Sequence, residues 1–589
     1  MARNIIILIL AATVVALPFV FRHEPESSRW VPGDPELIII SAHNEAIRYE
    51  FGRAFSAWHA EKFGTPVKVD WRAIGGTSEI MRYLAAEYVS AYRAWYRAEG
   101  NRWPSNGGVM MLDRRFNPDR PPEGEDPAGL AEWETKKAIW TGFRDRDDPD
   151  IFSAKIDLFF GGGEYDHNKA ARQGLTVAPW AEGEIPAGLI ADEMGAELIP
   201  SGLSGEIWRT PYLYGAALST FGICYNHDRL EQLEVDHPPR QWRDLTNPAY
   251  IGQLGAADPT KSGSITKAFE MIIHQQCYES ILAAGYDDER IAEYEAAIRA
   301  YRGNGDLPGT VPPAYQEALE EGWLEGVRLV QRIGANARYF TDSSSKIPID
   351  VSMGDAAVGL AIDFYGRYQA EKSRGPDGRE RMQYVTPDGG SSVSADPVSL
   401  LRGAPHREIA IRFMHFVLSE EGQRLWNYRP GTPGGPVKFA LRRLPVRRDF
   451  YPSGDRAMNE TAIAHSAFTS DTLLDDDVNP YQLSETFTYY SRWTGGHFNV
   501  HRDLIRAMCL DAGKELRAAW RSIVEHGGPE EQAEAMRLLT KLPEVPVPLS
   551  WDTAPSIPKN HRRLDYMREW TIFFRNNYRQ AGRMAAGEG

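Results

Sequence analysis

Cysteine is almost absent from this chain of 589 residues: Cys224, Cys277 and Cys509 stand far apart and are odd in number. That excludes a disulfide framework and a C-x-x-C metal knuckle, and leaves packed thiols. Excess positive charge is missing too. The 66 Lys and Arg against 81 Asp and Glu give a formal net charge of −15, the wrong sign for a general nucleic-acid binder, which needs a basic footprint for phosphates. Long apolar runs are lacking except one, at 5–21, preceded by Arg3 and followed by Arg22 and a polar stretch. This pattern fits an export signal or a single membrane anchor, and 1–24 is assigned to it. Val14 and Ala16 offer a small-residue pair for a signal peptidase, whereas a 17-residue helix would reach roughly 26 Å, slightly short of a hydrocarbon core. Cleaved and anchored forms both stay open, so N-terminal membrane association does as well. No Cys follows the run to carry a lipid.

The common enzyme signatures are also missing. The sequence holds no H-E-x-x-H, no G-x-S-x-G, no G-x-x-x-x-G-K-[ST] and no complete G-x-G-x-x-G after a strand, and no cofactor is implied. The acidic run 475–477 lacks the alternating oxygens and central glycine of a calcium loop and reads as a solvated turn. Two carboxylates for glycoside hydrolysis need only meet in space, and with 16 Trp an exported carbohydrate-active hydrolase stands as a rival reading. Most tryptophans in a large protein are packing residues, so their number does not by itself point to sugar stacking.

What is present is an α/β pattern, and 42% hydrophobic residues in a chain this long predict at least two cores. A continuous apolar run at 37–40 reads as a strand covered on both faces. Ile47, Phe51, Phe55 and Trp58 follow at helical spacing up to Gly64 and Pro66. Val67, Val69 and Trp71 then alternate as a strand, and Gly75-Gly76-Thr77-Ser78 opens a long helix. From 99 to 150 the pattern dissolves into Pro, Gly and charge, an insertion or lid with a helix near 130–143. A strand at 156–160 runs into Gly161-Gly162-Gly163 and a helix near 167–173. The second α/β stretch begins with a strand at 218–225, then a helix from Ser264, helices at 278–301 and 314–334, and strand-like 357–362. An amphipathic helix carries Ile409, Phe413, Phe416 and Val417. Beyond 441 helices are expected near 503–525, 529–541 and from Arg562. Tyr489 and Tyr490 read as core or surface aromatics.

These segments, in order, resemble the bacterial extracellular solute-binding proteins of ABC importers, with the type II periplasmic fold of ferric-ion, sugar-phosphate and polyamine binders. The likeness rests on 37–45, Gly75-Gly76-Thr77-Ser78, Asp157-Leu158-Phe159-Phe160-Gly161-Gly162-Gly163 and Cys224-Tyr225-Asn226. It continues through Trp242-Arg243-Asp244-Leu245, Pro248-Ala249-Tyr250-Ile251-Gly252, Asp258-Pro259-Thr260-Lys261-Ser262-Gly263, Met353-Gly354-Asp355-Ala356-Ala357-Val358-Gly359 and 410–423. The resemblance implies two α/β lobes around a hinged cleft: lobe 1 at 34–215 with the 99–150 insertion, lobe 2 at 216–380, a return to lobe 1 at 381–440, and a mainly helical C-terminal extension at 441–589.

It also implies a function without catalytic chemistry. A small polar or anionic solute would be captured between the lobes and delivered to an ABC permease in the inner membrane by a periplasmic or extracellular protein. Gly76, Thr77 and Ser78, like Thr260, Ser262, Gly263 and Ser264, stand at helix starts, whose unpaired N–H groups receive anions. The same hydroxyls are also plain helix caps. Ser41, His43 and Asn44 follow the first strand, where an α/β sheet presents ligand contacts, and Gly162 and Gly163 permit close backbone approach. Ferric-ion binders of the family present adjacent tyrosines where this chain has Asp363-Phe364-Tyr365. Asp363 and Tyr365 are therefore candidate solute contacts, and the missing phenolate argues against iron. A tethered ligand sensor or scaffold on the same fold is the nearest alternative.

Overall fold

The computed structural model describes residues 30–122, 124, 127–181, 183–301 and 307–588. The apolar run at 5–21 lies outside them, and among the described residues no helix is long and apolar enough to cross a membrane.

The chain opens with β1 (Glu36–Ser41), α1 (Glu45–Phe63), β2 (Lys68–Arg72) and α2 (Thr77–Ala98). Asn44 starts α1 by accepting from Ile47 N (3.0 Å), and Gly64 ends it with a left-handed backbone. β1 pairs parallel with β2, Glu36 opposite Lys68, and with β3 (Leu158–Phe160), Ile39 opposite Leu158. Helices cover both faces of these strands, which is why β1 reads as an unbroken apolar run. Between α2 and β3 the insertion forms a helix, α3 (Pro127–Arg144), whose Ile139 and Phe143 pack on Tyr88 and Tyr92 of α2. The insertion thus thickens the outside of lobe 1. After β3 comes α4 (Glu164–Arg172).

The expected single strand at 218–225 is two strands in two different sheets. β4 (Leu213–Ser219) and β5 (Phe221–Asn226) are separated only by Thr220. The apolar pattern runs through because both are buried along their whole length. Lobe 2 continues with β6 (Leu254–Ala257), α5 (Gly263–Ala283), α6 (Pro313–Asn336), β7 (Ala337–Thr341), β8 (Val358–Ile362), α7 (Asp363–Lys372) and β9 (Met382–Val385). A helix expected over 278–301 breaks at 284–287, and its second part starts afresh at Asp288, capped by the Asp287 carboxylate. The chain returns to lobe 1 through β10 (Ser394–Leu401), α8 (Arg407–Leu418), α9 (Glu420–Asn427) and β11 (Leu444–Pro445).

Two sheets result. The lobe 1 path runs β11-β4-β10-β3-β1-β2, and lobe 2 runs β7-β6-β8-β5-β9. In each, parallel strands from one stretch meet antiparallel strands at the crossover: β10 runs against β3 and β4, and β8 runs against β5. The return segment is tied to α1 by buried Glu50, whose carboxylate accepts from Val437, Lys438 and Phe439 N (2.8, 2.7 and 2.8 Å); a buried charge is tolerated when so satisfied.

The C-terminal stretch serves both lobes. Leu444, Phe450, Tyr451, Leu473 and Tyr481 belong to the lobe 1 core. From Phe487 onward the buried side chains merge with lobe 2 into one core, including α10 (Phe498–Ile505), α11 (Gly513–Glu525) and α12 (Arg563–Ala585). A wider π-helical turn, Arg506–Asp511, interrupts the helix expected at 503–525. All three cysteines are buried and unpaired.

Candidate functional site

Between the lobes lies a cavity of about 350 Å³. Its walls are the start of α2 at Gly76 and Thr77, the start of α4 at Gly163 and Glu164, the start of α5 at Ser262, Gly263 and Ser264, the crossover strands, and the C-terminal stretch. Neither Gly76 nor Gly163 caps its helix with a side chain, so the first-turn N–H groups of both helices lack the cap that Ser, Thr, Asp or Asn would give. Ser262 Oγ caps α5 by accepting from Ile265 N (3.3 Å). The loops of opposite lobes are within van der Waals reach: a Cβ on Gly76 would lie 3.5 Å from the Lys261 carbonyl oxygen, and one on Gly263 3.6 Å from Thr77 Oγ1. Gly162 is obligatory, with φ at +100° and the Thr77 methyl 2.0 Å from where a Cβ would stand.

Two polar clusters line the cavity. At the crossover, Asp396 of β10 accepts from Arg443 and faces His43 Nε2 at 3.2 Å, and Arg443 donates to Ser219 Oγ (2.8 Å). The Arg443 guanidinium lies 4.4 Å from the Phe364 ring centre. Burial pushes the Asp396 carboxyl up, but Arg443 and His43 outweigh it and hold it down at about 2. Burial also lowers the His43 pKa despite Asp396, so at neutral pH their contact is a hydrogen bond from neutral imidazole rather than a full ion pair. His43 Nδ1 and Asp396 Oδ1 are buried without a hydrogen-bond partner.

The second cluster surrounds Lys267 of α5. Its ammonium lies 3.0 Å from Glu206, 3.3 Å from Glu270 and 3.7 Å from the centre of the Tyr489 ring. Tyr489 OH and Thr494 Oγ1 donate to Glu270 (2.6 and 2.9 Å). Burial lowers the Lys267 pKa, yet Glu206 and Glu270 outweigh it and raise it well above the ordinary value. Glu164, beside them on α4, is pushed up to about 7, first by burial and then by the Glu206 charge. The lysine is therefore already neutralised, and Glu164 sits near half-protonation at neutral pH.

Of the residues singled out from the sequence, His43, Asn44, Gly76, Thr77, Gly162, Gly163, Ser262, Gly263, Ser264 and Tyr365 share this one cavity. Four sit behind its wall. Ser41 Oγ accepts from His43 N, Ser78 Oγ and the Thr260 carbonyl accept from Arg502, and Asp363 accepts from Arg367 at 2.6 Å. No residue of the 99–150 insertion lines the cavity, so among the described residues the insertion is no lid over it. Tyr489, expected as a core or surface aromatic, stands in the cavity wall; Tyr490 beside it packs on Trp493. Glu164, Glu206, Lys267, Glu270, Asp396 and Arg443 were not anticipated. One signal was available: Lys267, Glu270 and His274 recur about one turn apart beside the apolar Phe269, Met271, Ile272 and Ile273, and charged groups on a buried face require partners or a ligand. Among the described residues no three His, Cys, Asp or Glu side chains gather as a metal site.

The model of the bacterial extracellular solute-binding proteins matches residues 149–451, just over half of the chain. The chain belongs to this family. An uncharacterized protein of Haemophilus influenzae is 23% identical over 272 residues, which cover 46% of this chain and 60% of that protein's length. Among solved structures, similarity extends to the periplasmic binding protein AfuA of Actinobacillus pleuropneumoniae with fructose-6-phosphate bound (15% identity, 66% of this chain and 81% of that one, TM-score 0.39). It also extends to the apo ferric ion-binding protein A of Pasteurella haemolytica (11%, 80% and 97%, 0.37). A third is the spermidine/putrescine ABC transporter substrate-binding protein PotD of Streptococcus pneumoniae (14%, 80% and 99%, 0.39).

Proposed function

We propose that this family member is the exported solute-capturing component of an ABC importer. It would hold a small polar solute with an anionic group between its lobes and pass it to a membrane permease. The observation that carries the reading is the convergence of three helix starts, from α2 and α4 on one lobe and α5 on the other, on one cavity. Each start supplies unpaired N–H groups and the positive end of a helix dipole, worth about 0.3–1 kcal/mol per charge contact at an exposed site and more when partly buried. Because Lys267 and Arg443 are already paired and the Thr77 side chain is hydrogen-bonded to Asp166, the anion would rely on backbone N–H groups and the hydroxyl of Ser264. The carboxylates of Glu206, Glu270 and Asp396 favour a solute whose other face offers donors, hydroxyl or amine. Binding, closure and release need no catalytic residue in this chain, since transport is driven by ATP hydrolysis elsewhere.

Thermal unfolding in the presence of inorganic phosphate, a hexose phosphate, an aminoalkyl phosphate, the uncharged hexose and spermidine tests this. A phosphate-bearing compound is expected to raise Tm increasingly above its Kd, by about 2.7 kcal/mol of added stability at a hundredfold excess over Kd. Stabilisation by spermidine alone, or turnover of a compound that gives no shift, would sink the reading.

A further inference from the structure

The family match ends at residue 451, yet the cavity wall includes Tyr489, Gly495 and Phe498. These residues reach the cavity because α10 is built into lobe 2. Val500, Leu504 and Ile505 lie in its core, His501 Nε2 accepts from Trp323 Nε1 (3.0 Å), and Asp503 is held by Arg563 and Tyr566 (both 2.6 Å). Arg506 donates to Asp258 (2.5 Å). Toward lobe 1 the same helix makes only a few rim contacts. Phe498 stacks on Tyr165 at 4.9 Å, Asn499 donates to Tyr165 OH (3.1 Å), and the half-buried Arg502 donates to Ser78 Oγ (3.2 Å) while also holding the Pro259 and Thr260 carbonyls (2.8 and 2.9 Å). Just before it, Tyr489 N donates to Ser204 O of lobe 1 (2.7 Å).

We propose that the C-terminal extension is a working wall of the solute site. Tyr489 and Phe498 close the cleft at a place the crossover strands do not, and Arg502 with Asn499 latches that wall to lobe 1, so solute passes only when the Tyr165–Phe498 and Ser78–Arg502 contacts part. The asymmetry of the contacts sets the line of parting. On the lobe 2 side α10 has an apolar core to hold it, whereas on the lobe 1 side it has one ring pair and single hydrogen bonds, each of which water can replace. The extension would then control how fast solute exchanges. The proposal rests on the cleft being the solute site, but its test needs no solute.

In the full chain, Ser264→Cys places a thiol on the cavity wall, while Cys224, Cys277 and Cys509 are buried and give little background. Iodoacetamide labelling at position 264 is expected to run about ten-fold faster when Arg502→Ala and Asn499→Ala are combined, and faster again to a similar degree in Tyr165→Ala, which removes the latch from the other lobe. Labelling of Val109→Cys, 75% exposed on the insertion, should not change. An unaltered rate at 264 in both latch variants overturns the proposal, and so does a rise matched by labelling of the three native thiols, which would mean general loosening. If no solute binds while labelling responds as expected, the proposed transport function fails and the latch stands.

Discussion

Lobe 1 and lobe 2 rest on sheets of similar design but are completed in different ways. Lobe 1 is finished by chain that returns soon after the crossover, with Glu50 clamping 437–439 and Tyr451 and Tyr481 filling its core. Lobe 2 is finished from a distance: Trp493, Trp520, Trp570 and Tyr578 reach its core from sequence positions far beyond β9. The difference teaches that the region beyond the family match divides: Leu473 and Tyr481 still complete lobe 1, whereas the chain from Phe487 onward is structural for lobe 2 and only a neighbour to lobe 1. Lobe 2 without its extension would expose the face of α6 on which Trp520 and Cys509 pack.

The sharpest way to break this comparison is Trp520→Ala, which empties a core site and orphans the Asn336 side-chain Oδ1 that the indole N–H reaches at 2.8 Å. A cost of about 3–5 kcal/mol is expected, with hydrogen exchange showing lost protection in β5, β6 and β8 before β1 and β3. Equal loss in both sheets would mean the lobes unfold as one unit. Next in size is Gly162→Ala. A positive φ and the nearby Thr77 methyl predict about 1–3 kcal/mol of destabilisation and a solute affinity lowered by roughly ten-fold, as a calorimetric titration would read.

Acid should separate the lobes more gently. Burial holds His167 of lobe 1 down to about 4, and on the other side His497 to about 4 and His274 to about 3. The unfolded chain takes up these protons near pH 6.5, so their contribution is fully present above that value and is lost as pH falls toward 4. Urea midpoints should fall across that window, with the lobe 2 side opening first. The smallest effect concerns Glu164. Protonating it as pH drops through about 7 removes a negative charge beside the helix starts, so an anionic solute should bind about two- to five-fold more tightly at pH 6 than at pH 8. Glu164→Gln should flatten that profile, and the opposite slope would place a cationic group of the solute there.

The strands and helices of both lobes were legible wherever one local signal governed them, as with Asn44 and Gly64 bracketing α1, or Ser262 opening α5. The break at Thr220 was not, because an apolar run looks the same whether it stays in one sheet or passes to another. Glycine and hydroxyl turns pointed to the cavity since their chemistry is local. Arg443, Asp396 and Glu206 escaped because each joins the site through long-range pairing, and no spacing along the chain encodes that. Tyr489 packs against the lobe 2 core, as an aromatic there should, but its place in the cavity wall is fixed by α5, more than two hundred residues earlier, and no local spacing encodes that.

The crossover at Thr220 has a mechanical consequence. Its neighbours Ser219 and Phe221 both line the cavity, and Ser219 holds Arg443. Groups beside a pivot one residue long travel least when the two bodies swing. The Asp396–Arg443–His43 corner therefore keeps its spacing whether the jaws are apart or together, and in the proposed function the end of a guest placed there would meet a surface prepared in advance.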